Sequence, residues 1–139
     1  MVGSGEILGS SLTLDADKAL VVGDTTNVAA DGTLTLDGGE LTTGTLTSSG
    51  TIAFISGTLT LTNSNMIIQS GGILGGNLVI DRAKTLQPKM LFVGFLDDGE
   101  LVITDGGTVT VSDVAAIAPS SGGDGNVLLA GIGSTICTF

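Results

Sequence analysis

Asp31 to Thr62 reads DGTLTLDGGELTTGTLTSSGTIAFISGTLTLT. It is a run of short segments, each closed by Gly, Ser, Asn or Asp. Inside each segment apolar and polar residues alternate. Side chains along a strand alternate faces with period two, so Leu34 and Leu36 point one way and Thr33 and Thr35 the other. The phrase SGTLTL returns at Ser56 to Leu61. A phrase rewritten at intervals is the mark of a repeat architecture.

A marker extends the pattern in both directions: a small residue, one variable residue, then apolar–x–apolar. It occurs six times, at Ser10–Leu14, Gly32–Leu36, Gly57–Leu61, Gly76–Ile80, Gly99–Ile103 and Gly125–Leu129. Successive markers lie 22, 25, 19, 23 and 26 residues apart, a mean of 23. That spacing suits the coils of a β-solenoid. A second strand is expected after each marker, at Ala19, Glu40, Met66, Thr85, Thr108 and Ser134, and a third in most coils, at Asn27, Thr51, Leu91 and Ala115. Stacking in marker register predicts two inner columns. One is Leu12, Leu34, Leu59, Leu78, Leu101 and Val127. The other is Leu14, Leu36, Leu61, Ile80, Ile103 and Leu129. The central ladder of the core is then Leu34, Leu36, Leu59, Leu61, Leu78, Ile80, Leu101 and Ile103. With strands about 4.8 Å apart, six coils give a rod roughly 30 Å long.

A longer echo overlies the marker. ILGSSLTLDADKAL from Ile7 and ILGGNLVIDRAKTL from Ile73 agree at seven of fourteen positions. The chain therefore reads as one solenoid domain, 1–139, in two three-coil halves of about 7–72 and 73–139.

Composition agrees and excludes much else. The 139 residues suffice for a core. There is no Trp, Tyr or His and there are only four Phe, so Leu, Ile and Val must fill that core. The 23 glycines, about twice the usual share, mark frequent tight turns. An apolar content of 42% excludes disorder, and a helical reading fails because no 3.6-residue stripe persists. A β-sandwich also uses many short strands, but repetition of one short phrase favours the solenoid. The formal charge of −10 opposes nucleic acid and anionic membranes, and no run of 18 apolar residues exists to insert into a bilayer. Met1 is followed by VGSGEILG, which carries no secretory signal.

Catalytic chemistry has little to stand on. Without His there is no Ser–His or Cys–His pair and no ordinary zinc site. No phosphate-binding or dinucleotide motif occurs. Asp97, Asp98 and Glu100 are near enough for a carboxylate pair, yet turn acids are expected there. For calcium there is no EF-hand loop, and GGDG at Gly122 to Gly125 is only a fragment of a binding repeat. No enzyme activity, cofactor or metal is expected. Cys137 is the lone cysteine and reads as a small hydrophobe.

Leu91 to Thr138 resembles the repeat associated with type V secretion (autotransporter) passengers and PEP-CTERM surface proteins. Leu91, Val93 and Gly94 match its opening. Gly99, Leu101, Ile103, Asp105, Gly106, Gly107 and Val109 match its middle, and Gly131, Gly133, Ser134 and Thr135 its close. Ala118 stands where the repeat has a second glycine, and Ile136 or Cys137 where it has Trp. The resemblance implies an all-β, right-handed parallel β-solenoid (β-helix), about six coils with roughly three short strands each. It also implies a bacterial protein, secreted or at the cell surface, that serves as adhesin, stalk or coat. It carries no catalytic residues.

Three surfaces are candidates for that role. The outward position of the marker strand runs Thr13, Thr35, Thr60, then Val79, Val102 and Leu128. The last three are expected to form a lateral interface, or else to lie under a loop. The tips, with Ile7, Leu12, Leu14, Ile136 and Phe139, are expected to stack end to end in a head-to-tail homopolymer. A host or cell-surface ligand is a second expected partner. Thr-x-Thr pairs at Thr33, Thr45, Thr58 and Thr108 suggest an ice-binding face, but Thr is also an ordinary outward strand residue. Filament subunit is the leading expectation, then adhesin stalk, then ice-binding solenoid.

Overall fold

Alternating apolar residues and glycine-closed turns produce strands that turn corners and return above themselves. The computed structural model describes residues 1–3, 5 and 8–138. Its described residues form no helix. The strands are β1 (Ser11–Asp15), β2 (Ala19–Val28), β3 (Thr33–Ser48), β4 (Thr51–Ile68), β5 (Asn77–Ile80) and β6 (Lys84–Val93). They continue as β7 (Gly99–Ile103), β8 (Thr108–Val111), β9 (Ala115–Ile117), β10 (Gly125–Leu129) and β11 (Thr135–Thr138). Every pairing between them is parallel. The chain is a β-solenoid of about six coils at a spacing near 23 residues.

Three faces wrap the core. The first carries β1, the opening segments of β3 and β4, then β5, β7 and β10. The second carries the opening of β2, the middle of β3 and β4, the opening of β6, then β8 and β11. The third carries the closing segments of β2, β3, β4 and β6, then β9. Val2 adds a single bridge beneath Val28 on that face. Strands β3 and β4 are long because they bend round corners while remaining extended.

Every residue expected in the central ladder is buried: Leu34, Leu36, Leu59, Leu61, Leu78, Ile80, Leu101 and Ile103. Their columns differ from the expected ones at a single coil. Leu12 lies beside Leu34 and Leu14 beside Leu36, as marker register requires. The next rung of that face is Ile52 and Phe54, not Leu59 and Leu61. Leu59 stands on the second face between Leu41 and Leu86, and Leu61 between Thr43 and Pro88. The cause is coil length. Thr33 pairs with Thr51 only 18 residues later, so SGTLTL arrives one face further round. The segment at Thr51 is accordingly a first-face strand and the one at Met66 a third-face strand. On β5, β7 and β10 the expected register returns, with Leu78, Leu101 and Val127 side by side.

Corners set how closely coils stack. Gly57 has φ of 102°, a region that L side chains rarely adopt, and a Cβ there would collide with the carbonyl oxygen of Gly39 in the coil below. At Gly99 a Cβ would strike the carbonyl of Ile68, and Gly94 N–H donates to that same carbonyl at 2.9 Å. One corner is polar inside. The buried Thr43 hydroxyl accepts from Thr26 N–H at 3.2 Å and from the Thr26 hydroxyl at 3.0 Å, and donates to the Thr45 carbonyl at 3.0 Å. Buried hydroxyls are tolerated when satisfied in this way.

Two substitutions check this account by thermal or denaturant unfolding. Leu59→Ala, deep in the second-face column, is expected to cost about 2–5 kcal/mol. Gly57→Ala removes no contact and is still expected to cost about 1–3 kcal/mol through backbone strain; unchanged stability would mean the corner is not close-packed.

Candidate functional site

The outward side chains, the corners and the last rung are where this solenoid can meet another molecule. On the first face, Val79 pairs beside Val102 and Val102 beside Leu128, so the expected stripe exists as three consecutive outward positions. Val79 is 45% exposed and Leu128 50%, which excludes cover by any described loop. The alternation explains why: Leu78 and Ile80 are buried on the opposite side of the same short strand. Val102 between them is half-buried, so the stripe lies on the outer surface of the strand rather than in the core.

The acids are held locally. Asp98 Oδ1 accepts from Asp124 N–H at 3.0 Å, and Glu100 Oε1 accepts from Asn126 Nδ2 at 3.0 Å across adjacent rungs. Asp97 is exposed in the same corner. Asp98, Glu100 and Asp124 line an open groove with Ser70, Asn77, Asn126 and the neighbouring glycines, and no histidine or aromatic residue enters it. Among the described residues no three His, Cys, Asp or Glu could hold a metal ion. No nucleophile and base are brought together there.

No family model, no curated protein and no solved structure matches the chain. Its own geometry is therefore what bears on function.

The final rung is open. Val127 and Leu129 continue the columns of Leu101 and Ile103, yet Leu129 is 49% exposed while Ile103 is fully buried. Ile117 sits over buried Val93 and is 55% exposed. Ile136, in register with Val109, is half-buried. Ile117 and Ile136 line an apolar recess with Leu91, Val93, Ala115 and Val127. At the other tip Leu14 is buried and Leu12 half-buried, both packed with the core. Ile7 and Phe139, also expected at the tips, lie outside the described residues. Leu129 and Ile117 were not singled out as tip residues. Leu129 had been read simply as a core position, and exposure of a core position is set by whether a rung lies above it, which no local pattern encodes.

The second face is the expected second-strand set at Ala19, Glu40, Thr85, Thr108 and Ser134, with SGTLTL in the place expected of Met66. In register it carries Thr58, Thr85, Thr108 and Thr135 on four consecutive rungs. The strand starts TLQ, TVTV and STIC could have revealed this column once aligned. Cys137 is half-buried at an outward position of the same face, beside Thr110.

Val102→Asp tests the surface assignment. A charge at an outward strand position is expected to cost no more than about 1 kcal/mol, read from the unfolding midpoint. A loss of several kcal/mol would show that the stripe is packed rather than outward.

Proposed function

We propose that the protein is a structural β-solenoid that stacks end to end into a filament or surface fibre. The observation that carries this is that, among the described residues, Leu129 on β10 is 49% exposed although its column below is dry. Apolar area of this kind gains about 25 cal/mol per Å² when removed from water. Strands β9, β10 and β11 also present backbone edges on that side, and an uncovered edge templates pairing with a further strand. A second copy supplies both, because among the described residues strand β1 is paired on one side only, with half-buried Leu12 on it. Contact between two different ends of identical chains is heterologous and propagates as an open filament. The Val79, Val102 and Leu128 stripe then lies along the fibre wall and can join fibres laterally.

A bacterial cell-surface setting fits this reading, on the resemblance of Leu91 to Thr138 to repeats of exported passengers. The charge of −10, carried in exposed corners, keeps such a fibre dispersed.

Electron microscopy of the purified chain over a concentration series tests the proposal. Filaments that lengthen with concentration are expected, with an axial repeat of about 30 Å from six rungs. Leu129→Asp should leave the monomer folded and abolish them. Uniform single particles at every concentration would overturn the filament and leave a monomeric stalk.

A further inference from the structure

The second face is unlike the other two. Its outward residues form two columns. One runs Glu40, Thr58, Thr85, Thr108, Thr135, with each neighbour in register and no bulge between rungs. The other runs Thr42, Thr60, Gln87, and continues on the last two rungs with Thr110 and Cys137. On the first face the equivalent positions change from Thr13 and Thr35 to Ala53, Val79, Val102 and Leu128. From its third rung to its last, only the second face keeps a threonine in one column on every rung; its first rung carries Ala19 and Val21 instead.

We propose that this threonine face binds ice. Four observations support it. The first is spacing. Neighbouring rungs place the hydroxyls about 4.8 Å apart, and alternate residues on one strand place them about 6.7 Å apart. The result is a two-dimensional grid with repeats comparable to those between oxygens on a crystal plane of ice.

The second is availability. Among the described residues, the Thr42, Thr58, Thr85, Thr108 and Thr110 hydroxyls make no hydrogen bond within the protein. Thr60 donates to Gln87 Oε1 at 3.1 Å and Thr135 to the Gly133 carbonyl at 3.2 Å. Most of the grid is thus left to pair with water.

The third is order. The threonines are half-buried, and Thr85 and Thr108 each have threonine on the rungs above and below. A β-branched side chain in a strand has few χ1 choices, so the grid loses little entropy on engaging a lattice. Each hydroxyl also carries a methyl, which limits how water can arrange between them and favours a cage-like layer.

The fourth is charge. Fourteen acids and four bases occur in the chain, yet from rung two to rung six only Glu40, at one end, places a charge at an outward position of this face. Ionised groups would orient water radially and break a lattice. The acids instead occupy corners, as at Asp15, Asp37, Asp81 and Asp105.

Other ligands fit less well. A sugar surface normally meets aromatic platforms, and there is no Trp or Tyr in the chain and no Phe at an outward position of this face. A phosphate backbone needs basic groups that the face does not have.

The test uses the full chain, kept monomeric by gel filtration immediately before measurement. Thermal hysteresis and inhibition of ice recrystallisation are read over a concentration series, with crystal shape recorded. Hysteresis that rises with concentration, and faceted crystals, are the expected results. Thr85→Tyr and Thr108→Tyr each place a bulky ring in the middle of the grid and should reduce hysteresis at least tenfold. The far-UV melting curve of each variant establishes that it is folded. Ala53→Tyr, on the first face, should leave hysteresis unchanged. Absence of hysteresis and recrystallisation inhibition in the unsubstituted chain overturns the proposal. So does an equal loss in the first-face variant.

Discussion

Close approach of backbones at the corners is the constraint on which the remainder of this fold depends. A coil stacks on the one below at hydrogen-bonding distance only if no side chain intervenes where the strand changes face. Gly57 over the Gly39 carbonyl and Gly99 over the Ile68 carbonyl meet that requirement at two different corners. Once the corners allow contact, parallel ladders form along each face, and the leucine columns are brought together as a consequence. The core has no large aromatic cluster; the ring contact in the described residues is Phe92 with Phe95. Burial is instead distributed in thin layers, each made by a few aliphatic side chains that touch mainly their neighbours above and below.

Much of this was legible in the chain itself, and the part that was not has a definite physical cause. Period-two alternation and the recurrent marker reveal strands, coils and the identity of the buried residues, since burial follows from parity along a strand. Parity does not tell which face a strand occupies. SGTLTL at Ser56 is chemically suited to any face, so its position depends on the accumulated length of the corners before it. A short coil between Thr33 and Thr51 moved it from the first face to the second. The apolar outward stripe was readable because β5, β7 and β10 follow the marker without such a slip. The threonine column was hidden by the same displacement, although each of its strands was recognised separately.

Surface chemistry is partitioned by face and by height. Acids collect at corners, where glycine and aspartate make the turns. The first face becomes apolar outside in its later coils. The second keeps threonine from its third rung to its last. An aliphatic interior emerges at the last rung, through Leu129 and Ile117. A rod with distinct sides and a distinct end can engage several neighbours at once without any of them competing for one pocket.

The three faces also differ in mechanical continuity. Among the described residues, the first-face ladder is interrupted between β4 and β5, where Ile73 and Leu74 of the intervening loop pack against the core. On the third face, the pairing between the closing segments of β2 and β3 is not carried on to that of β4. The second-face ladder alone passes through all six rungs, narrowing to Thr85–Leu86 against Thr108–Val109 just before Pro88, which has no amide hydrogen to give. Because the two gaps occur at different heights, no single level of the rod is held by one face only. The molecule then behaves under load like a strip with one unbroken cable along its side. It bends most easily about that side, and axial tension is borne there before the other two walls take up strain.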